Sequence, residues 1–262
     1  MEKRLLLFLT VLLMPLLFSW TPARDKWIIE KHDGYSLFYT TSDKKNIDDY
    51  KVYFENGKIT VEEFFRSTFN TAFDIYIHPD RTSLDSTWQK DWGMPDFKSQ
   101  CWMVASGVAD KLDLISPKMW DSLSCEHSYS DMLNTQRLIT HELVHVYHGK
   151  QNASPDFSDV SGIDWFVEGL AVYVSGQCDS IRISQVKEAI SENKVPESLE
   201  NFWTGNLRYG LSGTVVMYLD KEFGREKLTS LLKYNHIGEL LVSLGTDESE
   251  IMDGWEKYME ST

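Results

Sequence analysis

Cysteine is scarce in this sequence, with only Cys101, Cys125 and Cys178 among its 262 residues. An odd number of cysteines leaves at least one thiol without a partner inside the chain. A bridge between Cys101 and Cys125 would stabilise the fold by about 3 kcal/mol in the chain-entropy model. Spacing alone does not decide the pairing, so the sequence leaves it open.

Basic residues are also few, since 26 lysines and arginines stand against 40 aspartates and glutamates, for a net charge of −14. The basic residues form no cluster that would offset this acidic surface. A surface of such charge repels the phosphate backbone of a nucleic acid. Composition therefore excludes nucleic acid as an expected partner.

Apolar runs long enough to cross a bilayer are missing as well. The run from Leu5 to Phe18 follows Lys3 and Arg4 and precedes the small residues of Thr21-Pro22-Ala23. A membrane-spanning helix needs ~20 apolar residues, whereas this shorter pattern is typical of a secretory signal peptide. We therefore predict a signal peptide at residues 1–23, export to the periplasm or the extracellular space, and no stable membrane insertion once the peptide is removed. An uncleaved N-terminal anchor is the alternative.

Local patterns predict an α+β fold, since the sequence contains no internal repeat and no low-complexity tract. The region 27–77 has mostly strand character, and segments rich in β-branched and aromatic residues predict strands at 35–41, 73–77, 102–105 and 111–115. Helical periodicity and glycine breaks predict helices at 61–73, 131–148 (capped by Gly149), 164–175, 182–192, 210–222, 225–235 and 247–259, with Gly224, Gly238 and Gly245 as breaks. We predict one domain with an α/β lobe at residues 24–149 and a helical lobe at residues 150–262.

The segment His141-Glu142-Leu143-Val144-His145 matches the pattern His-Glu-x-x-His. Residues four apart lie on the same face of a helix, so His141 and His145 can bind one metal ion. Glu142 is about 100° further round the helix, beside the metal rather than on it, where a general base for a metal-bound water is needed. The apolar residues around the motif predict that this helix is buried. Two ordinary core histidines are the alternative.

A zinc site of this kind needs a third protein ligand, and three residues compete for that role. Glu168 lies in the apolar segment 164–173, where a carboxylate is unfavourable unless a positive charge compensates it. His148 lies on the same face as His141 but one turn further along, and Cys125 would give a Cys-His-His site. We predict Glu168 as the ligand, with a solvent-facing Glu168 as the alternative.

With these motifs the chain resembles the gluzincin metallopeptidases, particularly the bacterial peptidase MA-like proteins. The resemblance rests most firmly on 141–145 and 165–171, continues through 209–212, and covers roughly residues 70–260. It implies a twisted sheet packed on the zinc helix, a helical second lobe and a substrate cleft between them. It also implies that residues 102–107 form an edge strand along which a peptide would lie.

The resemblance further implies a catalytic role for Tyr209, because gluzincins commonly place a Tyr or His where the oxyanion develops. A residue that only packs at a helix end is the alternative. Aminopeptidases of the family carry an acidic residue on the edge strand, and Val104–Val108 has none, so we do not expect aminopeptidase activity. Trp88, Trp92 and Trp102 could form an aromatic rim near the cleft, but we favour simple packing in loops.

Together these features predict a secreted zinc metallopeptidase that hydrolyses peptide bonds. His141, His145 and Glu168 would bind the zinc, Glu142 would act as general base and Tyr209 would stabilise the oxyanion. A non-catalytic zinc-containing binding protein on the same scaffold, or another zinc hydrolase, is the alternative. An intact Glu142 favours the enzyme, because a scaffold that only binds needs no base.

Overall fold

The computed structural model describes residues 26–262, and five strands of this part form one mixed sheet. Its strands, in the spatial order β1-β2-β3-β5-β4, are β1 (Ile28–Lys31), β2 (Tyr35–Tyr39), β3 (Phe73–His78), β5 (Lys111–Ile115) and β4 (Ala105–Val108). β1 and β2 form an antiparallel hairpin, while β2, β3 and β5 are parallel. β4 returns antiparallel to β5 and forms one edge of the sheet.

The described residues also form ten α-helices. They are α1 (Ile47–Phe65), α2 (Arg81–Asp91), α3 (Trp120–Leu123), α4 (Met132–Gly149), α5 (Asp164–Val174), α6 (Ser180–Ser191), α7 (Arg208–Phe223), α8 (Arg225–Ser230), α9 (Ile237–Leu244) and α10 (Glu248–Ser261). Of these, α2 and α4 pack on this sheet. All the strands precede residue 116, and described residues after 150 form helices and loops. The predicted α+β class is therefore confirmed, and the division into two lobes stays a prediction.

Helix α1 is the largest departure from the sequence prediction, which gave strand for most of 27–77 and a helix only at 61–73. α1 ends at Phe65, because Arg66 adopts a left-handed backbone with φ of 52°. Its buried residues recur every three or four positions, the spacing of an amphipathic helix. An Asn-Gly pair is typical of a turn, yet Asn56-Gly57 lies inside α1. Gly57 brings α1 and α4 close together, since a Cβ would lie 2.7 Å from Leu143 Cδ1 of α4 and that side chain would have to shift.

Four smaller predictions were also wrong at element boundaries. The strand predicted at 102–105 is β4 at 105–108, because Arg81 binds the carbonyl oxygens of Gln100, Cys101 and Met103 and holds them in a turn. Gly149 is not a cap: it lies within α4, where a Cβ would come 2.6 Å from Pro155 O.

The other two boundary errors lie in the helical half. The helix predicted at 225–235 ends at Ser230. The side-chain amide of Asn152 donates hydrogen bonds to the carbonyl oxygens of Leu232 and Tyr234, which are therefore not paired within a helix. Gly238 is not a break, since it lies in α9.

A disulfide joins Cys101 to Cys125, with 5.4 Å between the Cα atoms, and Cys178 is free. This pairing settles the question that the sequence left open. It also removes Cys125 from the candidate metal ligands, because a bridged sulfur is no longer available as a thiolate.

The signal peptide predicted at residues 1–23 lies outside the described residues. Among the helices at 26–262, none combines the length and the apolar character that crossing a membrane requires.

Candidate metal centre

Helix α4 carries the His-Glu-x-x-His motif through the centre of the protein. Asp131 caps its N-terminus by accepting a hydrogen bond from the backbone N–H of Asn134. The helix packs against α1, α5 and β4, and the apolar residues flanking the motif are buried, as predicted. His141 and His145 are themselves 7% and 6% exposed. The surrounding packing therefore fixes both imidazoles.

Helix α5 brings Glu168 to these histidines. Glu168 Oε2 lies 3.3 Å from His141 Nε2 and 3.5 Å from His145 Nε2, and the two Nε2 atoms are 3.0 Å apart. Gly169 allows α5 to meet α7 closely, since a Cβ there would lie 2.4 Å from Ser212 O. Glu168 thus points into the protein toward the histidines, and these three residues could hold a metal ion.

The spacing of these donors suits a tetrahedral metal. Bonds of ~2.0–2.1 Å to nitrogen and oxygen place neighbouring tetrahedral donors ~3.3–3.4 Å apart, close to the three distances measured between His141, His145 and Glu168. Gln177 Oε1 lies 2.9 Å from His141 Nδ1 and accepts its hydrogen bond. Nδ1 of His141 therefore carries a proton, which leaves Nε2 as the nitrogen that can bind a metal ion.

The surroundings of Glu168 keep its carboxyl group ionised. Burial alone would raise the pKa of Glu168, but the imidazoles of His145 and His141 outweigh it and hold the pKa well below its ordinary value. The carboxylate is therefore anionic, as a metal ligand must be.

His148 does not join this group. Its Nε2–H donates to Leu232 O at 3.1 Å, and its ring packs among Phe157 and Phe166. Burial, with a smaller contribution from His145, lowers the pKa of His148 to about 3. His148 is thus a neutral core histidine, and the candidate ligand set remains His141, His145 and Glu168.

Glu142 lies beside the triad with an altered pKa. Burial, assisted by the nearby Glu168, raises the pKa of Glu142 to about 7, although His141 and a hydrogen bond from the Gly107 backbone act the other way. Strand β4 comes so close that a Cβ on Gly107 would lie 2.2 Å from Glu142 O. A carboxyl group with a pKa near neutrality can both accept and release a proton under physiological conditions.

The triad and Glu142 line an open cleft of about 390 Å³. Its walls comprise all of β4, residues of the loop 156–160 and of α5, and Trp92, Trp102, Trp203, Arg208 and Tyr209. Burial and the nearby Glu168 raise the pKa of Tyr209, so its hydroxyl stays protonated. The structure therefore brings all five predicted site residues, His141, Glu142, His145, Glu168 and Tyr209, to one cleft.

The three tryptophans divide between core and cleft. Trp88 is 1% exposed and belongs to the core. Trp92 stacks on Trp88, with 4.9 Å between ring centroids, and reaches the cleft, as Trp102 does. Packing in loops was favoured from the sequence; Trp88 does pack in the core, but from helix α2, whereas Trp92 and Trp102 line the cleft.

Sequence reasoning missed Gln177 and Arg208. Gln177 follows α5 in a turn at Gly176 (φ 75°), and no pattern in the sequence connects it with His141. Arg208 directly precedes Tyr209, and this position beside a predicted site residue was the only sequence signal that could have identified it.

Comparison with known proteins gives no match, neither to a protein-family model nor to a curated protein.

Proposed function

We propose that the protein is a zinc-dependent peptidase of the gluzincin type, in which a His-Glu-x-x-His helix and a downstream glutamate form the site. The observation that carries the proposal is the convergence of His141, His145 and Glu168 within 3.0–3.5 Å of one another. Glu142, with its raised pKa, lies beside them in the same cleft. Two imidazoles and one carboxylate are a common ligand set of catalytic zinc.

When bound by His141, His145 and Glu168, zinc supplies Lewis-acid polarisation of a carbonyl oxygen and acidifies a water molecule. Glu142 accepts the proton that water releases as its oxygen adds to the scissile carbonyl carbon. Glu142 then gives this proton to the leaving nitrogen as the C–N bond breaks. A pKa of about 7 suits both transfers. The Tyr209 hydroxyl donates a hydrogen bond to the oxyanion.

Strand β4 supports a peptide as the substrate. It is an edge strand, and its four residues line the cleft. An extended peptide can add to such an edge through backbone hydrogen bonds. Because Ala105–Val108 contains no acidic residue that would bind a free amine, aminopeptidase activity is not part of the proposal.

Export is part of the proposal as well. The Cys101–Cys125 disulfide supports it, since disulfides persist in oxidising compartments and are rare in the cytosol. We propose that the exported protein begins near Arg24, after removal of the signal peptide. N-terminal sequencing of exported material tests this start, and a mature chain that retains residues 1–23 would favour the N-terminal anchor.

Peptide cleavage by the exported, purified protein tests the function itself. Mass spectrometry of a peptide library should show cleavage that stops with a chelator and returns with added zinc. Glu142→Gln should retain zinc and fold yet lose cleavage by orders of magnitude, because the amide is nearly isosteric but cannot act as a base. Glu188→Gln, which removes an exposed carboxylate of α6, should cleave like the parent. Equal cleavage by Glu142→Gln and the parent would refute the mechanism.

A further inference from the structure

Arg208 is held in the cleft by aromatic rings. It begins α7, and its guanidinium carbon lies 5.4 Å from the ring centroid of Trp102, 5.5 Å from that of Trp203 and 5.3 Å from that of Tyr209. Contacts of this kind are favourable and orient the flat guanidinium group. The side chain is half-buried, so solvent screens its charge less than at an open surface.

Within the described residues, Arg208 also lacks the partners that the other half-buried arginines have. Arg81 donates to four backbone carbonyls, and Arg137, Arg182 and Arg225 each pair with a carboxylate. Arg208 forms no ion pair with residues 26–262, and its contacts there are with aromatic rings. Most of its donor groups are therefore free for a ligand.

The charge of the cleft makes this cation distinctive. The other ionisable residues of its wall, apart from the two histidines and Tyr209, are the carboxylates Glu142, Asp156, Asp164 and Glu168. A chain with a net charge of −14 repels anions over most of its surface. Apart from the two histidines, Arg208 is therefore the cationic side chain of the cleft wall with which an entering anionic group can pair.

We propose that Arg208 binds a carboxylate of the peptide substrate and thereby makes the protein select acidic or carboxyl-terminal peptides. The proposal rests on the proposed peptidase function and deepens it. A guanidinium group donates two parallel hydrogen bonds to a carboxylate, which fixes both position and orientation. A free C-terminal carboxylate and an Asp or Glu side chain share this chemistry.

The neighbouring Tyr209 places this subsite close to the reacting bond. Tyr209 follows Arg208 on α7, and both residues line the same cleft as Glu142 and Glu168. A carboxylate held by Arg208 therefore lies near the position where the oxyanion would form. Recognition so near the scissile bond influences which bond is cut as well as which peptide binds.

The test uses zinc-loaded Glu142→Gln protein, which should bind peptides without cutting them, and the active parent in parallel. The probes are N-acetylated hexapeptide libraries, made as free acids and as C-terminal amides, and amide libraries with one fixed Asp or Asn. Tryptophan fluorescence reports binding, because Trp92, Trp102 and Trp203 line the cleft. KM and kcat of the parent provide the second readout.

We expect one carboxylate form to bind about 10- to 100-fold more tightly than its neutral twin, the range of a hydrogen bond to a charged group. Arg208→Gln should abolish this ratio, mainly through KM, and Arg208→Lys should retain part of it. Arg182→Gln is the matched control: its guanidinium faces the same Tyr209 ring at 5.4 Å but does not line the cleft. That variant should keep the parent's ratio.

An unchanged ratio in folded Arg208→Gln would overturn the proposal, and so would a parent that prefers neither carboxylate. A preference for free acids alone would assign the subsite to the C-terminus, and a preference for fixed Asp would assign it to a side chain. Arg208-dependent binding without any cleavage by the parent would sustain the carboxylate site and refute the peptidase. Cleavage without a carboxylate preference would refute the carboxylate site alone.

Discussion

Gln177 accepts a hydrogen bond from His141, with 2.9 Å between Oε1 and Nδ1. The two residues come from different segments, since His141 lies inside α4 and Gln177 lies in the turn after α5. The contact fixes which nitrogen of His141 carries the proton and which way the ring faces. Glu168 lies on α5, so this helix completes the triad and the turn that follows it orients another member of the triad.

Replacing Gln177 should therefore weaken metal binding without touching a ligand. We expect Gln177→Leu to lower zinc affinity 10- to 100-fold, the usual range for loss of a hydrogen bond to a ligating histidine. Gln177→Glu keeps an acceptor and should bind zinc at least as tightly as the parent. Competition with a chromophoric chelator measures both affinities. Parent-like affinity in Gln177→Leu would show that the hydrogen bond does not orient His141.

Glu168 should be required for tight zinc binding. We expect the parent to hold one zinc per chain after dialysis and Glu168→Ala to lose it, because two histidines alone do not complete a catalytic site. Asp164→Asn, one turn earlier on α5, also removes a negative charge from the cleft wall and should retain the metal. Elemental analysis, expressed as moles of zinc per mole of protein, measures the occupancy of each variant. Full zinc occupancy in Glu168→Ala would exclude Glu168 and return His148 to consideration.

The sequence predicted all three residues of the candidate metal triad but little of what supports them. His141 and His145 are separated by one helical turn, so the local pattern alone placed both on one face. Glu168 was found because a carboxylate inside an apolar helix needs a positive partner. Gln177 lies far from His141 in the sequence, as Trp102 does from Arg208, and only the tertiary structure brings each pair together.

The fold shows the same division between local and long-range information. α4 and α5 have strong apolar periodicity and were predicted almost to the residue. α1 was missed over residues 47–60, which were assigned mostly to strand, and the local Asn56-Gly57 pair is itself more typical of a turn than of a helix. Packing against α4 overrides this preference, since the absence of a side chain at residue 57 lets the two helices approach closely.

His148 should make stability depend on pH. Its pKa is about 3 in the folded protein and 6.5 when the side chain is free of the fold, so the unfolded chain binds the extra proton between these values. Stability is therefore complete above pH 6.5 and falls as pH decreases toward 3. We expect this residue to remove about 2 kcal/mol between pH 7 and pH 5.

Urea unfolding of the parent and of His148→Gln, both with chelator, isolates this effect because other titrating groups cancel in the comparison. The glutamine retains a donor for Leu232 O and does not titrate. The parent should lose more stability than the variant between the two pH values. Identical pH dependence in both proteins would mean that His148 is not held neutral by burial.

Gly107 should not tolerate a side chain. A Cβ at this position would lie 2.2 Å from Glu142 O and 3.2 Å from His145 Cβ, so β4 would have to move away from α4. We expect Gly107→Ala to destabilise the fold by about 1–3 kcal/mol and to reduce peptide cleavage. Gly238→Ala is the control, because nothing lies within 4 Å of its Cβ, and alanine in α9 should stabilise by up to about 1 kcal/mol. Chemical denaturation measures both, and a Gly107→Ala protein as stable as the parent would contradict the close approach.

Tyr209 offers the sharpest test of the proposed chemistry. Its ring packs edge-on against Trp203, with 5.0 Å between centroids, and lies between the guanidinium groups of Arg182 and Arg208. These contacts involve the ring and not the hydroxyl, so Tyr209→Phe should leave packing and stability almost unchanged. The hydroxyl can then be examined by itself.

We expect Tyr209→Phe to lower kcat by ~10²–10³ while KM changes little, because a donor that meets the oxyanion only in the transition state does not contribute to ground-state binding. Tyr218→Phe is the matched control: Tyr218 is buried on the same helix and does not line the cleft, so its removal should leave kcat unchanged. Steady-state kinetics on zinc-loaded protein separate the two outcomes. An unchanged kcat in Tyr209→Phe would assign Tyr209 to packing, and a large loss in Tyr218→Phe would move the oxyanion donor to that residue.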